Sequence, residues 1–411
     1  MNKKNSVPKI RFKDFEDNWK SRKLSEISDK VTEKNKDNMY IETLTNSAAL
    51  GIISQRDYFD KDISNAKNLN GYYVVKPNDF VYNPRISKFA PVGPIKRNNL
   101  ERTGVMSPLY YVFRTNNING AFLERYFSSN WWHRFMKING DSGARSDRFA
   151  IKDSVFCEMS IPYPSINEQN KISVLFEKLD KTVMHHQELL NDHKKLKKAM
   201  LQKMFPQKGE TVPRVRFAEF NDSWIEKRLV DIVKIRRGLT YKPNDVSSNG
   251  VRVLRSSNIK EDIFKLRKDD VFVQEKAINI PEVENGDILI TAANGSIRLV
   301  GKHAIINNLP SNTVHGGFML VIHSDHNPFI NTWMSSSEYK RTLEFVQGGN
   351  GSIGNLSIKT LESAKISIPS KEERILIGQY FTKIESIITF HQNKLETYQE
   401  LKKAMLQKMF V

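Results

Sequence analysis

Cysteine is almost absent from this 411-residue chain, whose single cysteine is Cys157. One cysteine excludes an internal disulfide and a zinc site built from several thiolates, and it is typical of a reducing compartment. No apolar run approaches the ~18–20 residues that a membrane-spanning helix needs. No apolar stretch follows the N-terminal lysines, as it would in a signal peptide. We therefore expect a soluble, cytoplasmic protein.

Common catalytic motifs are also missing. The sequence has no G-x-x-x-x-G-K-[ST] phosphate loop, no Rossmann-type dinucleotide fingerprint and no Gly-x-Ser-x-Gly elbow. Residues 83–86 and 327–330 are only faintly similar to the Asn-Pro-Pro-aromatic step of amino-methyltransferases, because the second proline is missing from both. His323 and His326 form an isolated H-x-x-H, which is more typical of a polar loop than of a metal site. These absences predict a protein without a catalytic centre or a metal.

Acidic residues are scarce relative to basic ones: 46 Asp and Glu oppose 64 Lys and Arg, for a formal net charge of +18. Such a charge favours a polyanionic partner, most often nucleic acid. Between Asp79 and Glu124 the only acidic residue is Glu101, and between Asp287 and Asp325 there is none. A surface that faces phosphates should exclude carboxylates, which would repel them. The alternative is chance combined with buried strands, which carry few charges.

The chain contains an internal duplication. Residues 7–27, VPKIRFKDFEDNWKSRKLSEI, recur at 212–232 as VPRVRFAEFNDSWIEKRLVDI, 205 positions later. Residues 196–205, LKKAMLQKMF, recur unchanged at 401–410 with the same offset. A period this long excludes a solenoid and indicates two tandem units of about 205 residues.

The middles of the two units differ in sequence but share an outline. Each has an Asp-led strand pattern, a second strand pattern and a closing glycine-rich polar loop, at 78–82, 109–113 and 140–145 in the first unit and at 286–290, 317–322 and 348–352 in the second. Short strands broken by Gly, Asn and Pro predict mixed, β-rich domains. Matched ends around unmatched middles suggest a constant frame that presents two variable heads.

Each unit ends in a long helix with a heptad pattern. Its apolar positions alternate in steps of four and three, which defines a coiled-coil seam. The predicted seam residues are Ile172, Phe176, Leu179, Val183, Leu190 and Met200 in the first helix, and Ile377, Phe381, Ile384, Ile388, Leu395 and Met405 in the second. The same seam holds His186, His193 and His391, which we interpret as polar breaks rather than metal ligands, and Lys197 and Lys402, which we expect to extend from it toward water.

Two equal helices in one chain most simply pair with each other, although pairing with other chains is the alternative. An antiparallel pair is favoured, because a parallel pair would require a connection as long as the helix. The predicted class is α+β, with two β-rich mixed domains separated by two long antiparallel coiled-coil helices in a pseudo-two-fold tandem duplication. The predicted boundaries are 1–160 for the first domain, 161–206 for the central helix, 207–365 for the second domain and 366–411 for the C-terminal helix.

Over essentially its whole length the chain resembles the DNA-specificity subunits of Type I restriction–modification enzymes, of the kind found in low-GC Gram-positive bacteria. The resemblance lies in the PKIRF-x-x-F-x-x-x-W-x-x-x-x-L entry at 8–24, its PRVRF counterpart at 213–229, the LKKAMLQKMF helix ends and the Ile-Pro-x-Pro…Glu-Gln lead-in at 161–169. One departure is Glu373-Arg374, where the first copy has Glu168-Gln169.

The resemblance implies two target recognition domains, each contacting one half of an asymmetric bipartite site in double-stranded DNA. It also implies that the helices set the gap between the halves and bind two methyltransferase subunits, with two motor–nuclease restriction subunits in the larger assembly. This chain would bind no cofactor; S-adenosylmethionine, ATP and Mg²⁺ would serve the partner subunits, which methylate adenine, translocate and cleave.

We expect base contacts from polar and arginine side chains on loops, with the methylated adenines turned out into the partner subunits. The candidate DNA-binding residues are Arg56, Arg85, Lys88, Lys96, Arg145 and Arg148 in the first domain, and Arg255, Asn258, Asn294, Ser296, Arg298 and Asn350 in the second.

Two other functions are compatible with parts of the pattern. A coiled-coil scaffold that only joins proteins would carry its basic charge incidentally, and it would show no preference for any DNA sequence. A single-chain restriction enzyme would need methyltransferase and nuclease motifs, which the sequence lacks.

Overall fold

The computed structural model describes residues 7–59, 66–141, 147–310, 312–344, 346 and 354–411. The chain divides into two compact units: the first comprises Met1–His186 with Lys394–Val411, and the second comprises Gln187–Asn393. We call residues 7–163 the first head and residues 212–368 the second head. Each unit consists of one head and one segment from each of two long helices.

The first unit is built from short strands and short helices ahead of a long helix. Its strands are β1 (Lys20–Lys23), β2 (Ser28–Lys30), β3 (Leu44–Ser47), β4 (Gly51–Ser54), β5 (Tyr73–Val75), β6 (Phe80–Tyr82), β7 (Ile95–Arg97), β8 (Gly104–Met106), β9 (Tyr111–Thr115) and β10 (Ser160–Tyr163). Its helices are α1 (Leu24–Ile27), α2 (Gln55–Phe59), α3 (Gly120–Ser128), α4 (His133–Asn139), α5 (Asp153–Phe156) and the start of α6 (Ile166–Lys203).

The second unit follows the same plan with more strands. These are β11 (Ile225–Arg228), β12 (Lys234–Arg237), β13 (Val246–Ser247), β14 (Val251–Leu254), β15 (Ile259–Lys260), β16 (Ile263–Phe264), β17 (Val271–Val273), β18 (Ile288–Thr291), β19 (Ala293–Asn294), β20 (His303–Ile305), β21 (Thr313–His315), β22 (Met319–His323), β23 (Gly354–Asn355) and β24 (Lys365–Ile368). The helices are α7 (Asn327–Met334), α8 (Ser337–Glu344), α9 (Ile358–Glu362) and α10 (Lys371–Lys408).

A four-stranded antiparallel sheet of the same topology lies in each head. Its order is β2-β9-β6-β7 in the first head and β12-β22-β18-β20 in the second. The central strands β6 and β18 are buried throughout, which explains why nearly all their residues are apolar or aromatic. The strands predicted after Asp79 and Asp287 are therefore confirmed, and the duplication extends into the dissimilar middles.

The same turn leads into both central strands. The carboxylate of Asp79 accepts a hydrogen bond from the backbone N–H of Lys76, at 2.8 Å, and the carboxylate of Asp287 accepts one from the N–H of Glu284, at 3.1 Å. The residue before each aspartate has a positive φ, 71° at Asn78 and 99° at Gly286. Asn and Gly are the residues that adopt this conformation most readily, which explains the Asn/Gly-Asp pair in both copies.

The repeated PKIRF entry ends in a buried ion pair. Arg11 donates two hydrogen bonds to the carboxylate of Glu168, at 2.8 and 2.9 Å, and the indole N–H of Trp19 donates a third, at 3.1 Å. In the second copy, Arg216 donates two hydrogen bonds of 2.7 Å to Glu373. Both carboxylates are buried, so the pair fixes the entry segment to the first turns of the long helix.

Each repeated LKKAMLQKMF segment packs against the head of the other copy. Phe205, at the end of the first copy, packs against Trp224 of the second head, and Phe410, at the end of the second copy, packs against Trp19 of the first head. A matching backbone hydrogen bond accompanies each contact, from Val215 to Lys203 and from Ile10 to Lys408. Identical sequence is retained because both segments fill equivalent hydrophobic cores.

Within each unit the segments of α6 and α10 run antiparallel. In the first unit Asp180 pairs with Lys402, and the ring of His186 stacks on Tyr398. In the second unit Lys197 pairs with Glu385 at 2.9 Å, and His193 stacks on His391 with ring centroids 5.6 Å apart. The two seam lysines were expected to extend toward water, and instead each is held by an acidic residue of the other helix.

The predicted α+β class is confirmed, with mixed helix and sheet, two β-rich heads and two long helices of 38 residues. Of the twelve predicted apolar seam residues, nine are buried, and the other three, Val183, Met200 and Met405, are half-buried. Each helix begins six residues before its first seam position. Glu168 and Glu373 lie in the first turns that precede the seam.

Candidate functional site

The first head contains a cleft of about 830 Å³ at the edge of its central sheet, where β6 ends and β9 begins. Aromatic side chains line much of it, including Tyr73, Tyr82, Tyr110 and Phe149. Leu109, in the turn between β8 and β9, also lines this first cleft and is 63% exposed. Flat apolar rings are suited to contacts with the faces or methyl groups of bases.

Two predicted arginines lie beside the first cleft on a short antiparallel ladder. Arg85 pairs with Arg148, and the ladder is closed by hydrogen bonds from Phe149 to Pro84, at 2.8 Å, and from Ile86 to Asp147, at 3.0 Å. Arg85 is exposed and Arg148 is half-buried. Two like charges are placed next to each other by the backbone, an arrangement that a phosphate would stabilise.

The second head has a cleft of about 690 Å³ at the equivalent edge of its own central sheet, where β18 ends and β22 begins. Tyr241, Arg255, Asn294 and Phe318 line this second cleft. Asn294 donates a hydrogen bond to the hydroxyl of Ser256, at 3.2 Å, and accepts one from the backbone N–H of Ser296, at 2.9 Å. The cleft therefore combines apolar surface with a few fixed polar groups, as binding sites for small planar groups do.

The two clefts correspond through the backbone. The hydrogen bond from Leu356 to Ala292, at 2.7 Å, and the β19–β23 pairing occupy the place that the Arg85–Arg148 ladder has in the first head. Both ladders join the segment after the central strand to the segment after the glycine-rich loop. The scaffold around the clefts is thus conserved within the chain, whereas the side chains that line them differ.

The remaining predicted residues of the first head lie away from the first cleft. Lys88 is exposed in the loop that follows Arg85, and Arg56 is exposed on α2. Lys96 lies in a groove beside Trp132 and Lys403, where burial lowers its pKa. Arg145 lies outside the described residues.

In the second head, the second cleft is lined by Arg255 and Asn294. Ser296 is hydrogen-bonded to Asn294, and Arg298 is exposed two residues later in the sequence. Asn258 is buried, and its amide is used internally: it donates to the Lys265 carbonyl and to Asp270, and it accepts from the Arg255 backbone N–H. We therefore leave Asn258 out of the proposed interface. Asn350 lies outside the described residues.

Internal pairing accounts for part of the carboxylate-poor windows. Arg97 pairs with Glu124 and Arg102 with Glu42, so neither presents an uncompensated charge. Arg114 pairs with the buried Asp79, and its counterpart in the second head is His323, which contacts Asp287 at 2.8 Å. Arg85 remains exposed beside the first cleft, and the exposed Lys152 lines it.

Histidines of the second window are largely structural. His315 is fully buried and hydrogen-bonded to the carbonyl of Arg236, and burial lowers its pKa to about 4. Burial also lowers the pKa of His303. Both imidazoles are therefore neutral near pH 7, and neither adds to the positive charge of the second head.

The thiol of Cys157 is half-buried and lies 2.9 Å from the hydroxyl of Tyr111, whose pKa is raised by burial and by this contact. Across the described ranges, no three His, Cys, Asp or Glu side chains are grouped so that they could hold a metal ion. Among the helices of those ranges, none is long and apolar enough to cross a membrane.

The sequence analysis missed the apolar residues of both clefts. The sequence predicted contacts from charged and polar side chains, and Tyr241, Leu109 and Phe318 are of other types. A signal was present in Gly316-Gly317-Phe318, where two glycines precede an aromatic residue that is 71% exposed.

Comparison with known proteins agrees with this architecture. A model of the family described as the Type I restriction modification DNA specificity domain matches residues 221–400. The match covers most of the second head and part of α10.

Relatives among the specificity subunits are distant in sequence. The MjaVIII specificity subunit of Methanocaldococcus jannaschii is 23% identical over 270 residues, which is 62% of this chain and 62% of that subunit. The EcoKI specificity subunit of Escherichia coli is 25% identical over 325 residues, which is 75% of this chain and 67% of that subunit. The chain thus spans about three fifths to two thirds of the length of these relatives.

Solved structures share the fold over a longer range. The S subunit of a Type I restriction–modification system from M. genitalium has a TM-score of 0.63 at 14% identity, covering 98% of this chain and 99% of its own. A chain from a structural study of complex assembly and conformational transition in the type I R-M system has a TM-score of 0.51 at 16% identity, covering 95% and 97%.

Proposed function

We propose that this chain is the sequence-specific DNA-binding subunit of a Type I restriction–modification complex. Each head would contact one half of an asymmetric, bipartite site in double-stranded DNA. The observation that carries the proposal is the pair of equivalent clefts. Each lies at the corresponding edge of the four-stranded sheet of its own head, but the two clefts are lined by different residues. A common scaffold with different lining residues is what two heads need if they recognise different base sequences.

Electrostatics supports a DNA partner for both heads. The chain carries a net charge of +18, and exposed or half-buried cations lie beside the clefts, among them Arg85, Arg148 and Arg255. Phosphate contacts supply most of the affinity of such proteins, and groove contacts supply the specificity.

The long helices would set the spacing between half-sites. A helix of 38 residues is about 57 Å long, which is the length of about 17 base pairs. The proposed ruler therefore has a length appropriate to a gap between two half-sites of one protein.

The helices would also bind two methyltransferase subunits, and two restriction subunits would complete the assembly. Apolar side chains that are 41–60% exposed support protein contacts along them: Val174, Met184, Leu196, Ile375, Phe390 and Leu401. In this proposal the chain itself binds no cofactor. S-adenosylmethionine, ATP and Mg²⁺ serve the partner subunits.

The first test is to map methylated adenines in a host that carries this chain with its methyltransferase. We expect one asymmetric sequence in two parts separated by a constant gap. The purified complex should prefer a duplex of that sequence over random duplex across a range of salt concentrations. Equal binding to both duplexes would contradict the proposal and favour a scaffold with incidental charge.

The second test exchanges one head. Replacing residues 28–150 with those of another specificity subunit should change one half of the methylated sequence and leave the other half and the gap unchanged. A change in both halves would contradict the independence of the two heads.

A further inference from the structure

Two exposed apolar side chains occupy matching turns in the two heads. Leu109 lies in the turn between β8 and β9 and is 63% exposed, and Phe318 lies in the turn between β21 and β22 and is 71% exposed. Both turns enter the strand next to the buried central strand of the sheet. The heads share little sequence here, so the feature they share is an exposed apolar side chain at the same position of the turn. We call Leu109 and Phe318 the tips.

The backbone of both turns is held in place. In the first head the N–H of Tyr110 donates to the carbonyl of Ser107, at 3.1 Å. In the second head the N–H of Met319 donates to the carbonyl of Gly316, at 2.8 Å. The carbonyl of Phe318 also accepts hydrogen bonds from the N–H groups of Ala292 and Ala293. The exposed side chains therefore project from fixed turns, as a rigid wedge requires.

Each tip stands at the margin of a cleft that has an arginine in its lining or beside it. Leu109 shares the first cleft with Tyr110 and Phe149, beside the Arg85–Arg148 ladder. Phe318 shares the second cleft with Tyr241 and Arg255. Phosphates attracted by the arginines would bring the DNA against the tips, and a leucine or phenylalanine side chain has nothing to offer a phosphate. The complementary surface in DNA is the face of a base.

We propose that Leu109 and Phe318 insert between neighbouring base pairs, one in each half-site, and that they unstack a single base step there. The inference rests on the proposed function, because it requires that the two heads bind DNA. Apolar wedges of Leu, Phe, Ile and Met are known to open base steps in DNA complexes, and the lost stacking is offset by contacts with the wedge and by the bend it permits. The aromatic rings and Arg255 in the clefts would then cover the exposed base faces.

The experiment uses the complex of this chain with its methyltransferase and a duplex of its own mapped sequence. 2-Aminopurine is placed at successive positions, since its fluorescence rises when it is unstacked. In the wild type we expect a rise at one step in each half-site, separate from the rise at the adenine that turns out into the methyltransferase. Phe318→Ala should abolish the rise in one half-site and weaken binding about 10-fold, and Leu109→Ala should abolish the rise only in the other half-site.

Matched controls separate insertion from loss of apolar surface. Ile297 is 49% exposed in the second head and Ile41 is 83% exposed in the first, and alanine at either position should leave both fluorescence rises intact. Phe318→Leu should retain part of the rise. A duplex that lacks the base at the opened step has less stacking to lose, so on it Phe318→Ala should bind within about 3-fold of the wild type.

The proposal is overturned if Phe318→Ala keeps the wild-type fluorescence and affinity, or if Ile297→Ala causes the same loss. A wild-type complex that does not distinguish its mapped duplex from random DNA would contradict the proposed function instead. Unchanged thermal unfolding of the variants would show that they are folded, as expected for substitutions of exposed side chains.

Discussion

Arg216 donates two parallel hydrogen bonds, each 2.7 Å long, to the carboxylate of Glu373. The hydrogen bonds to Glu373 raise the pKa of Arg216, so this guanidinium is charged at any physiological pH. Glu373 is fully buried, and removing one partner of a buried ion pair leaves the other charge without compensation. The contact explains why the PKIRF-type entry and this acidic residue at the start of the long helix are repeated together.

Glu373→Gln should lower the free energy of unfolding of the second unit by about 3 kcal/mol. Urea denaturation followed by tryptophan fluorescence would measure the loss. Glu226→Gln is the control, because Glu226 forms an exposed pair with Lys365 whose loss should cost less than about 1 kcal/mol. Equal losses in the two variants would contradict the structural role of Glu373.

The same substitution in the first unit should be more damaging. Glu168 also accepts the indole N–H of Trp19, whereas the indole N–H of Trp224 has no acceptor among the described residues. Glu168→Gln should therefore cost about 1 kcal/mol more than Glu373→Gln, since a further hydrogen bond to a charged acceptor is weakened. Parallel urea titrations of the two variants would show the difference.

Acid should destabilise the second unit through His315. Its pKa is about 4 in the folded chain, and the ordinary value is near 6.5, so between these values the unfolded chain binds more protons than the folded one. The contribution of neutral His315 to the free energy of unfolding is therefore fully present above pH 6.5. It declines as the pH falls toward 4, by about 2 kcal/mol at pH 5.

His315→Gln should reduce this dependence by about the same amount, and the measurement is urea denaturation at pH 7 and pH 5. His185, which is exposed on α6, offers the control. His185→Gln should leave the difference between the two pH values unchanged. An undiminished difference in His315→Gln would assign the acid sensitivity to another group.

Salt dependence should reveal the phosphate contacts of the first head. The logarithm of the DNA-binding constant falls linearly with the logarithm of the salt concentration, and loss of one phosphate contact reduces the steepness of this slope by about 0.9. Arg148→Gln should give this reduction, and Arg85→Gln with Arg148→Gln should give about twice as much. Lys181→Gln removes an exposed cation on α6 that pairs with Glu177, and it should leave the slope unchanged. Identical slopes in all variants would place the DNA elsewhere.

Helix length should determine the gap between half-sites. A seven-residue insertion after His186 and another after Asn393 add two turns to each helix and preserve the heptad register. The gap in the methylated sequence should grow by about three base pairs, because seven residues add about 10 Å. Four-residue insertions are the control, since they break the seam and should reduce methylation. An unaltered gap would contradict the ruler role.

Much of the frame could be predicted from the sequence because it depends on local patterns. The heptads predict the helices, and the Asn/Gly-Asp pair predicts the strands at Phe80 and Ile288, since both signals lie within a few residues. The antiparallel direction follows from the order of elements, and the pairs of Asp180 with Lys402 and of Lys197 with Glu385 confirm it within each unit.

The clefts could not be predicted because distant segments form them. Phe318 is distant in sequence from Tyr241 and Arg255, and it meets them only through the pairing of β14 with β21 and the turn that follows. Burial of Asn258 was equally hidden, because a polar residue after a strand has the same local pattern whether it faces solvent or a buried aspartate. Side-chain environment, unlike periodicity, is a property of the assembled head.

Phe410 completes the core of the first head although it lies nearly four hundred residues after Trp19, against which it packs. A ribosome releases these residues in order, so the first head must wait for almost the whole chain before its core can close. During synthesis Trp19 and Phe122 would lie open to chaperones or to the LKKAMLQKMF segment of the first copy, which is identical in sequence. During synthesis the two identical LKKAMLQKMF segments therefore compete for the core of the first head. The competition ends when the second segment emerges from the ribosome.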